Sequence, residues 1–88
     1  MTLLIDPPNW AGPRGLYWSH LVSDHSLDEL HGFAALLGSP RRAFDRDHYD
    51  VPETVYLRAI ELGAEAVSSQ TLVKRLIAAG LRRRRLRP

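Results

Sequence analysis

Apolar and polar residues follow each other along this chain in two patterns, one typical of strands and one of helices. Residues 2–5 form a short apolar run that ends at Asp6, which predicts a buried strand with the acid at its C-terminal end. Residues 16–23 alternate between two faces and predict a second strand. Between them, residues 7–15 contain three prolines and two glycines and are predicted to be a loop.

The clearest helix is predicted over residues 27–37. Ser26, followed three residues later by Glu29, has the form of a capping box, in which each residue bonds the backbone of the other. Apolar residues then recur at helical spacing. Gly38 supplies the C-terminal stop, because glycine readily adopts the left-handed conformation that ends helices.

The remaining sequence predicts a strand or loop around residues 44–51, a helix over 52–62, a short strand over 64–68 and a helix over 69–79, capped by Ser68 or Ser69. The order β-β-α-(β)-α-β-α indicates the α/β class, a single small domain with a mixed sheet of three to four short strands covered by three helices. In open sheets ligands gather at the carboxyl ends of strands, where Asp6 and Asp24 are predicted to lie.

Composition limits what this domain can be. The chain has 88 residues and no cysteine, so no disulfide or thiolate metal site can reinforce it. A homodimer contact is one way for so small a core to gain stability. No apolar run approaches the ~20 residues that a membrane span needs, so we expect a soluble cytoplasmic protein with no membrane contact.

Charge is distributed unevenly. The net charge of +2 combines five arginines within residues 82–87 with seven basic and ten acidic side chains in residues 1–81. We therefore divide the chain into a mildly acidic domain, residues 1–81, and a basic tail, residues 82–88. The tail either neutralises nucleic-acid phosphates or is a frayed helix end whose charge complements the helix dipole. The predicted nucleic-acid contacts are Arg82, Arg83, Arg84, Arg85 and Arg87.

All four histidines and six of the ten acidic residues lie between His20 and Asp50. Histidine and carboxylate side chains bind divalent metals and move protons near neutral pH, so this segment predicts a site. The metal ligands are predicted to be Asp6, Asp24 and His31. The alternative is a set of independent histidines, each satisfied by hydrogen bonds at the edge of the core.

Other residues are given separate roles. His48 and Asp50 are predicted to form a general acid/base pair, and Arg42 with His20 to bind a phosphate-bearing ligand. Trp10 either belongs to a lid over the site or packs on the core. Two further polar residues are set aside, because His25 is predicted to be exposed and Glu29 to serve the helix cap.

Several of these residues also carry a family resemblance. The strand ending in Asp6, Ser19-His20-Leu21, Glu29-Leu30-His31 and His48-Tyr49-Asp50 resemble domain-of-unknown-function family 4031, a group of small bacterial and phage proteins, over roughly residues 2–68. Phage-like members tend to carry a second acid after the position of Asp6, where this chain has Pro7. The resemblance implies no known activity.

Two functions are compatible with these residues. The first is a site of His, Asp and Arg for a phosphate-containing small molecule, with a divalent metal (manganese, zinc or magnesium) as cofactor and phosphoester hydrolysis as the reaction. The alternative is a non-catalytic binding module that recruits nucleic acid or a protein partner through its arginine tail. No nucleophilic serine motif, phosphate-cradling glycine loop or dinucleotide fingerprint is present in the sequence.

Overall fold

Short strands alternate with helices along residues 2–82, the part of the chain that the computed structural model describes. The strands are β1 (Leu3–Ile5), β2 (Trp10–Ala11), β3 (Tyr17–Ser23), β4 (Phe44–Asp45), β5 (His48–Pro52) and β6 (Glu65–Ala66). The helices are α1 (Leu27–Leu37), α2 (Tyr56–Glu61) and α3 (Ser69–Ala78). The predicted α/β class is confirmed, with three helices and a mixed sheet. Within these residues, no helix is both long enough and apolar enough to cross a membrane.

The sheet contains two short strands that the sequence pattern does not resolve. Trp10–Ala11, which lies within the predicted loop, forms β2 and pairs with the start of β3. Residues 44–52 form a hairpin of two strands, β4 and β5, instead of a single strand. Two residues are too few to display a period, so neither strand is visible in the spacing of apolar residues.

Strand directions decide which residues meet. The order is β4-β5-β3-β1-β6, with β2 also on β3. β1 runs antiparallel to β3, with Leu4 opposite Val22, and parallel to β6. Because β1 and β3 run in opposite directions, their C-terminal ends lie at opposite ends of the sheet. Asp6 and Asp24 therefore do not meet.

The sheet is covered on both faces, because side chains alternate across each strand. One face buries Ile5, Leu21 and Tyr49 against α1 and α2, with Leu30 fully buried among them. The other buries a smaller cluster in which α3 contacts β1 and β3, formed by Leu4, Val22, Leu72 and Leu76. The core thus has two layers, and only the second is on the side of His20.

The N-caps of α1 and α3 determine which hydrogen bonds Glu29 and Ser69 form. The Ser26 hydroxyl accepts the amide of Glu29, as predicted, but the Glu29 carboxylate accepts the hydroxyl of Ser23 at 2.6 Å, while the Ser26 amide donates to that same hydroxyl. The capping box is thus completed through Ser23. At α3 the cap is Ser68, which leaves the Ser69 hydroxyl free for another partner.

Candidate functional site

The centre of the candidate site is the pairing of β3 with β5. His20 lies opposite Asp50 in the register, and His48 lies two residues before Asp50 on the same face of β5. The His48 Nε2 is 3.1 Å from Asp50 Oδ1, and the imidazoles of His20 and His48 meet edge to face with centroids 5.1 Å apart. Strand pairing therefore brings together three side chains that the chain separates.

A buried carboxylate holds His20 from behind. Asp6, directly after β1 and 2 % exposed, accepts the backbone amide of His20 at 2.6 Å through Oδ1. Its Oδ2 lies 2.9 Å from the His20 Nδ1 and also accepts the Ser69 hydroxyl at 2.7 Å. These contacts fix the orientation of the ring and leave its Nε2 on the opposite side.

Burial and hydrogen bonding have opposing effects on the pKa values of Asp6 and His20. Burial alone would raise the pKa of Asp6, but hydrogen bonds from the His20 ring, the His20 amide and Ser69 hold it below its ordinary value. The hydrogen bond with Asp6 raises the pKa of His20 against the effect of burial. An ionised Asp6 can only accept a hydrogen bond, so the contact with its Oδ2 places a proton on the His20 Nδ1. When the ring is neutral, this tautomer leaves the lone pair on Nε2, where a metal can bind.

His48 is held in the same way. Its Nδ1 lies 2.8 Å from Asp47 Oδ1, and Arg82 donates two hydrogen bonds to the Asp47 carboxylate, at 2.7 and 3.0 Å. Burial raises the pKa of Asp47, but the contacts with Arg82 and His48 outweigh it and lower the pKa overall. An ionised Asp47 then fixes the His48 ring with its Nε2 towards Asp50.

The result is a convergent donor set. One nitrogen of each histidine and one oxygen of Asp50 lie within 4.8 Å of one another, the one such group of three within residues 2–82. A small cavity of about 110 Å³ opens at His20 and His48 and is also lined by Asp6, Ser69 and Arg82. The arrangement could hold a divalent ion with three protein ligands and leave coordination positions for other groups.

Trp10 covers one side of this set. Its indole stacks on the His20 ring, with centroids 5.9 Å apart, and on Trp18 at 6.1 Å. Trp10 is half-buried, packs on Trp18 of the sheet and covers one face of the His20 ring.

A larger cavity of about 500 Å³ adjoins the set at Asp50. Trp10 and Trp18 line it, together with two exposed arginines, Arg14 and Arg42. Arg42, predicted to bind phosphate, therefore shares a cavity with Asp50, while His20 does not line it.

Most of this site lies within the part of the chain that matches a known protein family. The sequence profile of DUF4031, described as a protein of unknown function, matches residues 3–79. The chain belongs to this family. The expected resemblance is thereby confirmed, and the DUF4031 match includes Asp6, His20, His48 and Asp50 but ends before Arg82. Neither the curated proteins nor the solved structures gave a match.

Two predicted metal ligands of this DUF4031 protein lie elsewhere. Asp24 lies directly after the C-terminal end of β3, where it accepts the Thr2 amide at 2.8 Å and pairs with Arg75 at 2.5 Å. The physical reason is the antiparallel pairing of β1 with β3.

His31 lies across the sheet from the set. Its Nδ1 is 2.7 Å from the hydroxyl of Tyr49, and its ring meets Phe44 edge to face. Tyr49 is buried on the face opposite to its neighbours His48 and Asp50, because side chains alternate along β5. His31 therefore contacts Tyr49 but lies on the other face of the sheet from His48, the residue before Tyr49.

Asp47, Ser69 and Arg82 support the site but do not stand out in the sequence. Asp47 lies in a charged turn, Ser69 beside a serine that serves as a cap, and Arg82 at the start of the basic tail. The signals available are the Asp47-His48 dipeptide and a second serine where one cap suffices. Among the arginines predicted to contact nucleic acid, Arg82 pairs with Asp47, and the rest (Arg83, Arg84, Arg85 and Arg87) lie outside the described residues.

Proposed function

We propose that this DUF4031 protein binds one divalent metal ion through His20, His48 and Asp50 and uses it to hydrolyse phosphoesters. The observation that carries the proposal is the convergence of three ligand atoms within 4.8 Å. Each histidine is also oriented by a carboxylate at Nδ1, the arrangement that proteins use around metal-binding imidazoles. Asp6 and Asp47 are thus orienting residues, and the ligand role moves to His20, His48 and Asp50.

The chemical types of the three ligand atoms limit which metal ions fit the site. Two imidazoles and one carboxylate suit zinc, manganese and iron better than magnesium, which prefers oxygen ligands. Three protein ligands leave positions open for water and substrate, as in catalytic metal sites. A metal in this position lowers the pKa of a bound water and supplies hydroxide near neutral pH.

The charges around Asp50 favour a phosphate ester as the substrate. Arg42 and Arg14 line the cavity that Asp50 also lines, and guanidinium groups bind phosphate oxygens through paired hydrogen bonds. The same charges stabilise the negative charge that builds on the phosphoryl oxygens during hydrolysis.

A metal-free mechanism is the second candidate, and one contact favours it. The 3.1 Å separation of His48 Nε2 and Asp50 Oδ1 is within hydrogen-bond reach, so the two residues can act as a general acid/base pair. In that case hydrolysis proceeds in the presence of a chelator, whereas the metal mechanism stops.

The binding experiment uses untagged protein, since a polyhistidine tag would itself bind metal. We expect one equivalent of zinc or manganese by elemental analysis and by calorimetric titration of the metal-free protein. His48→Gln abolishes this binding, whereas His25→Gln, which changes an exposed histidine, leaves it intact. No bound metal, or equal loss in both variants, contradicts the metal part.

The activity experiment follows release of nitrophenolate from bis(p-nitrophenyl) phosphate and from p-nitrophenyl phosphate. We expect hydrolysis that requires added metal, stops with chelator and falls at least about a hundredfold in Asp50→Asn. Metal binding without any hydrolysis contradicts the enzymatic part alone.

The binding-module alternative is tested on the tail. A chain that ends at Arg82 retains the ion pair with Asp47, so it separates the site from the arginines beyond it. The alternative predicts that this truncation abolishes binding to nucleic acid or a protein partner. The hydrolase proposal predicts unchanged metal binding and activity.

A further inference from the structure

We infer that the 500 Å³ cavity beside Asp50 binds a nucleotide: a phosphate ester that carries a flat aromatic base. This inference rests on the proposed function and deepens it, because it names the class of phosphoester that the metal would act on. The volume of the cavity falls in the range of about 300–1,000 Å³ that is typical of small-ligand sites.

The charged residues of the cavity lining favour an anion. Arg14 and Arg42 both line it, and within residues 2–82 neither guanidinium forms an ion pair with a carboxylate. Asp50 is the one acidic residue of the lining. Two arginines and one carboxylate in the same lining leave net positive charge for a phosphate group.

Arg14 is held in this position by an unusual backbone. It adopts a left-handed conformation, with φ of 61°, between Pro13 and a left-handed Gly15. Non-glycine residues adopt this conformation at a cost in free energy. The turn places the Arg14 guanidinium 5.7 Å from the centroid of the Trp18 ring.

The rest of the lining selects a flat apolar group. Both tryptophans of the chain contribute to it, beside the apolar side chains of Leu37, Pro52 and Val55. Indole and guanidinium faces stack on nucleobases, which are flat and have π faces of their own. A ligand with both an anionic group and an aromatic ring binds both the arginines and the indoles of the lining, whereas inorganic phosphate or a nucleoside binds only one of these two kinds of residue.

Asp50 connects this cavity to the proposed metal. It lines the cavity and belongs to the set of His20, His48 and Asp50. A nucleotide whose phosphate lies beside Asp50 therefore presents its phosphoester to the ion, and its base can stack on an indole of the same lining. A metal held by His20, His48 and Asp50 would supply hydroxide there. Attack of that hydroxide on the phosphorus of a mononucleotide would break the phosphorus–ester oxygen bond, and the ester oxygen would leave as the alcohol.

The test is a fluorescence titration with adenosine 5′-monophosphate (AMP), adenosine and inorganic phosphate. Because the two tryptophans of the chain both line the cavity, bound base changes their emission directly. The titration is run with chelator present, so that cavity binding is measured apart from metal binding. We expect AMP to bind at least about tenfold more tightly than either fragment. Adenosine or phosphate binding as tightly as AMP overturns the inference, as does the absence of AMP binding.

Matched arginine variants locate the phosphate. Arg42→Gln and Arg14→Gln weaken AMP binding by about tenfold or more and leave adenosine binding unchanged, whereas Arg41→Gln, the exposed neighbour outside the lining, has less than a twofold effect. Equal effects of Arg41 and Arg42 substitutions overturn the inference. Failure of AMP binding in protein that still takes up metal rejects the nucleotide alone, and AMP binding without metal uptake rejects the proposed metal site alone.

Discussion

The Nδ1 of His20 lies 2.9 Å from Oδ2 of Asp6, a buried carboxylate fourteen residues earlier in the chain. The contact spans two antiparallel strands and is extended by Ser69 at the start of α3. It gives His20 a defined tautomer and a fixed orientation, which distinguishes a preorganised donor from a histidine that merely lies near an acid. The same geometry recurs in His48 with Asp47.

Asp6→Asn tests whether this orientation matters for metal binding. The new amide can donate to the His20 Nδ1, which moves the ring proton to Nε2 and removes the lone pair that a metal requires. We expect metal affinity to fall by about 10–100-fold, the usual loss when a carboxylate behind a metal-binding histidine is removed. Calorimetric titration with zinc measures it.

Asp24→Asn is the matched control for that variant. It changes another ion-paired carboxylate, which directly follows the C-terminal end of β3, so it lowers stability without removing a contact of His20. If both variants reduce metal affinity equally, the effect is general destabilisation and the orienting role of Asp6 is excluded.

The ion pair of Asp24 with Arg75 predicts a pH dependence of stability. Burial raises the pKa of Asp24, but the hydrogen bonds from Arg75 and the Thr2 amide outweigh it and place the pKa below the ordinary value of 3.8. The ionised carboxylate therefore stabilises the fold above about pH 3.8, and this contribution is lost as the pH falls through the lowered pKa.

We expect Asp24→Asn to reduce the free energy of unfolding by about 1 kcal/mol at pH 7, a value reduced for the partial exposure of Arg75, and to have little effect at acidic pH where Asp24 is protonated. Urea unfolding at several pH values measures both. Asp45→Asn, at an exposed position, should show no such dependence. A loss that is the same at every pH would exclude the charge of Asp24 as its cause.

Two glycine-to-alanine substitutions should change the free energy of unfolding in opposite directions. At Gly12 a Cβ atom would lie 2.6 Å from Trp18 Cδ1 and 2.7 Å from Trp10 Cζ3, so both indoles must shift. We expect Gly12→Ala to destabilise the protein by about 1–3 kcal/mol, as overpacking of a core does. Gly32→Ala in α1 meets open space and should stabilise by about 0.5–1 kcal/mol.

Urea unfolding curves of both variants check this pair, and tryptophan emission should shift in Gly12→Ala alone. A Gly12→Ala protein as stable as the parent would show that the two indoles are not packed on Gly12.

Arg82→Gln tests the link between the start of the basic tail and the site. The variant loses two hydrogen bonds to a mostly buried carboxylate, so we expect a loss of about 1–2 kcal/mol in stability. Metal affinity should fall by less than about tenfold, because Arg82 acts on His48 only through Asp47. Lys74→Gln, an exposed change on α3, is the control, and equal behaviour of the two variants would argue against the Arg82 contact.

Helices and the first strand are predictable from this sequence because their signals are local. The Ser26 cap, the left-handed Gly38 and the run that ends at Asp6 each depend on a few neighbouring residues. Strand direction is not local. The spacing of apolar residues in β1 and β3 does not indicate that the two strands pair antiparallel. This pairing is what separates Asp24 from Asp6.

The site could be predicted only in part for the same reason. His20, His48 and Asp50 are visible as residue types, but their contact depends on the register of β3 with β5. The alternation along β5 sends Tyr49, and with it His31, to the other face. Asp47 and Arg82 gain their roles from a contact across 35 residues, which no local pattern reveals.

The most direct test of the metal site is a crystal structure of untagged protein grown with zinc or manganese, with anomalous scattering used to locate the ion. The proposed metal site requires a single peak between His20, His48 and Asp50, with bonds of about 2.0–2.2 Å to imidazole nitrogen and carboxylate oxygen. A peak at Asp24 or His31, or a metal-free site in which His48 still contacts Asp50, would contradict it.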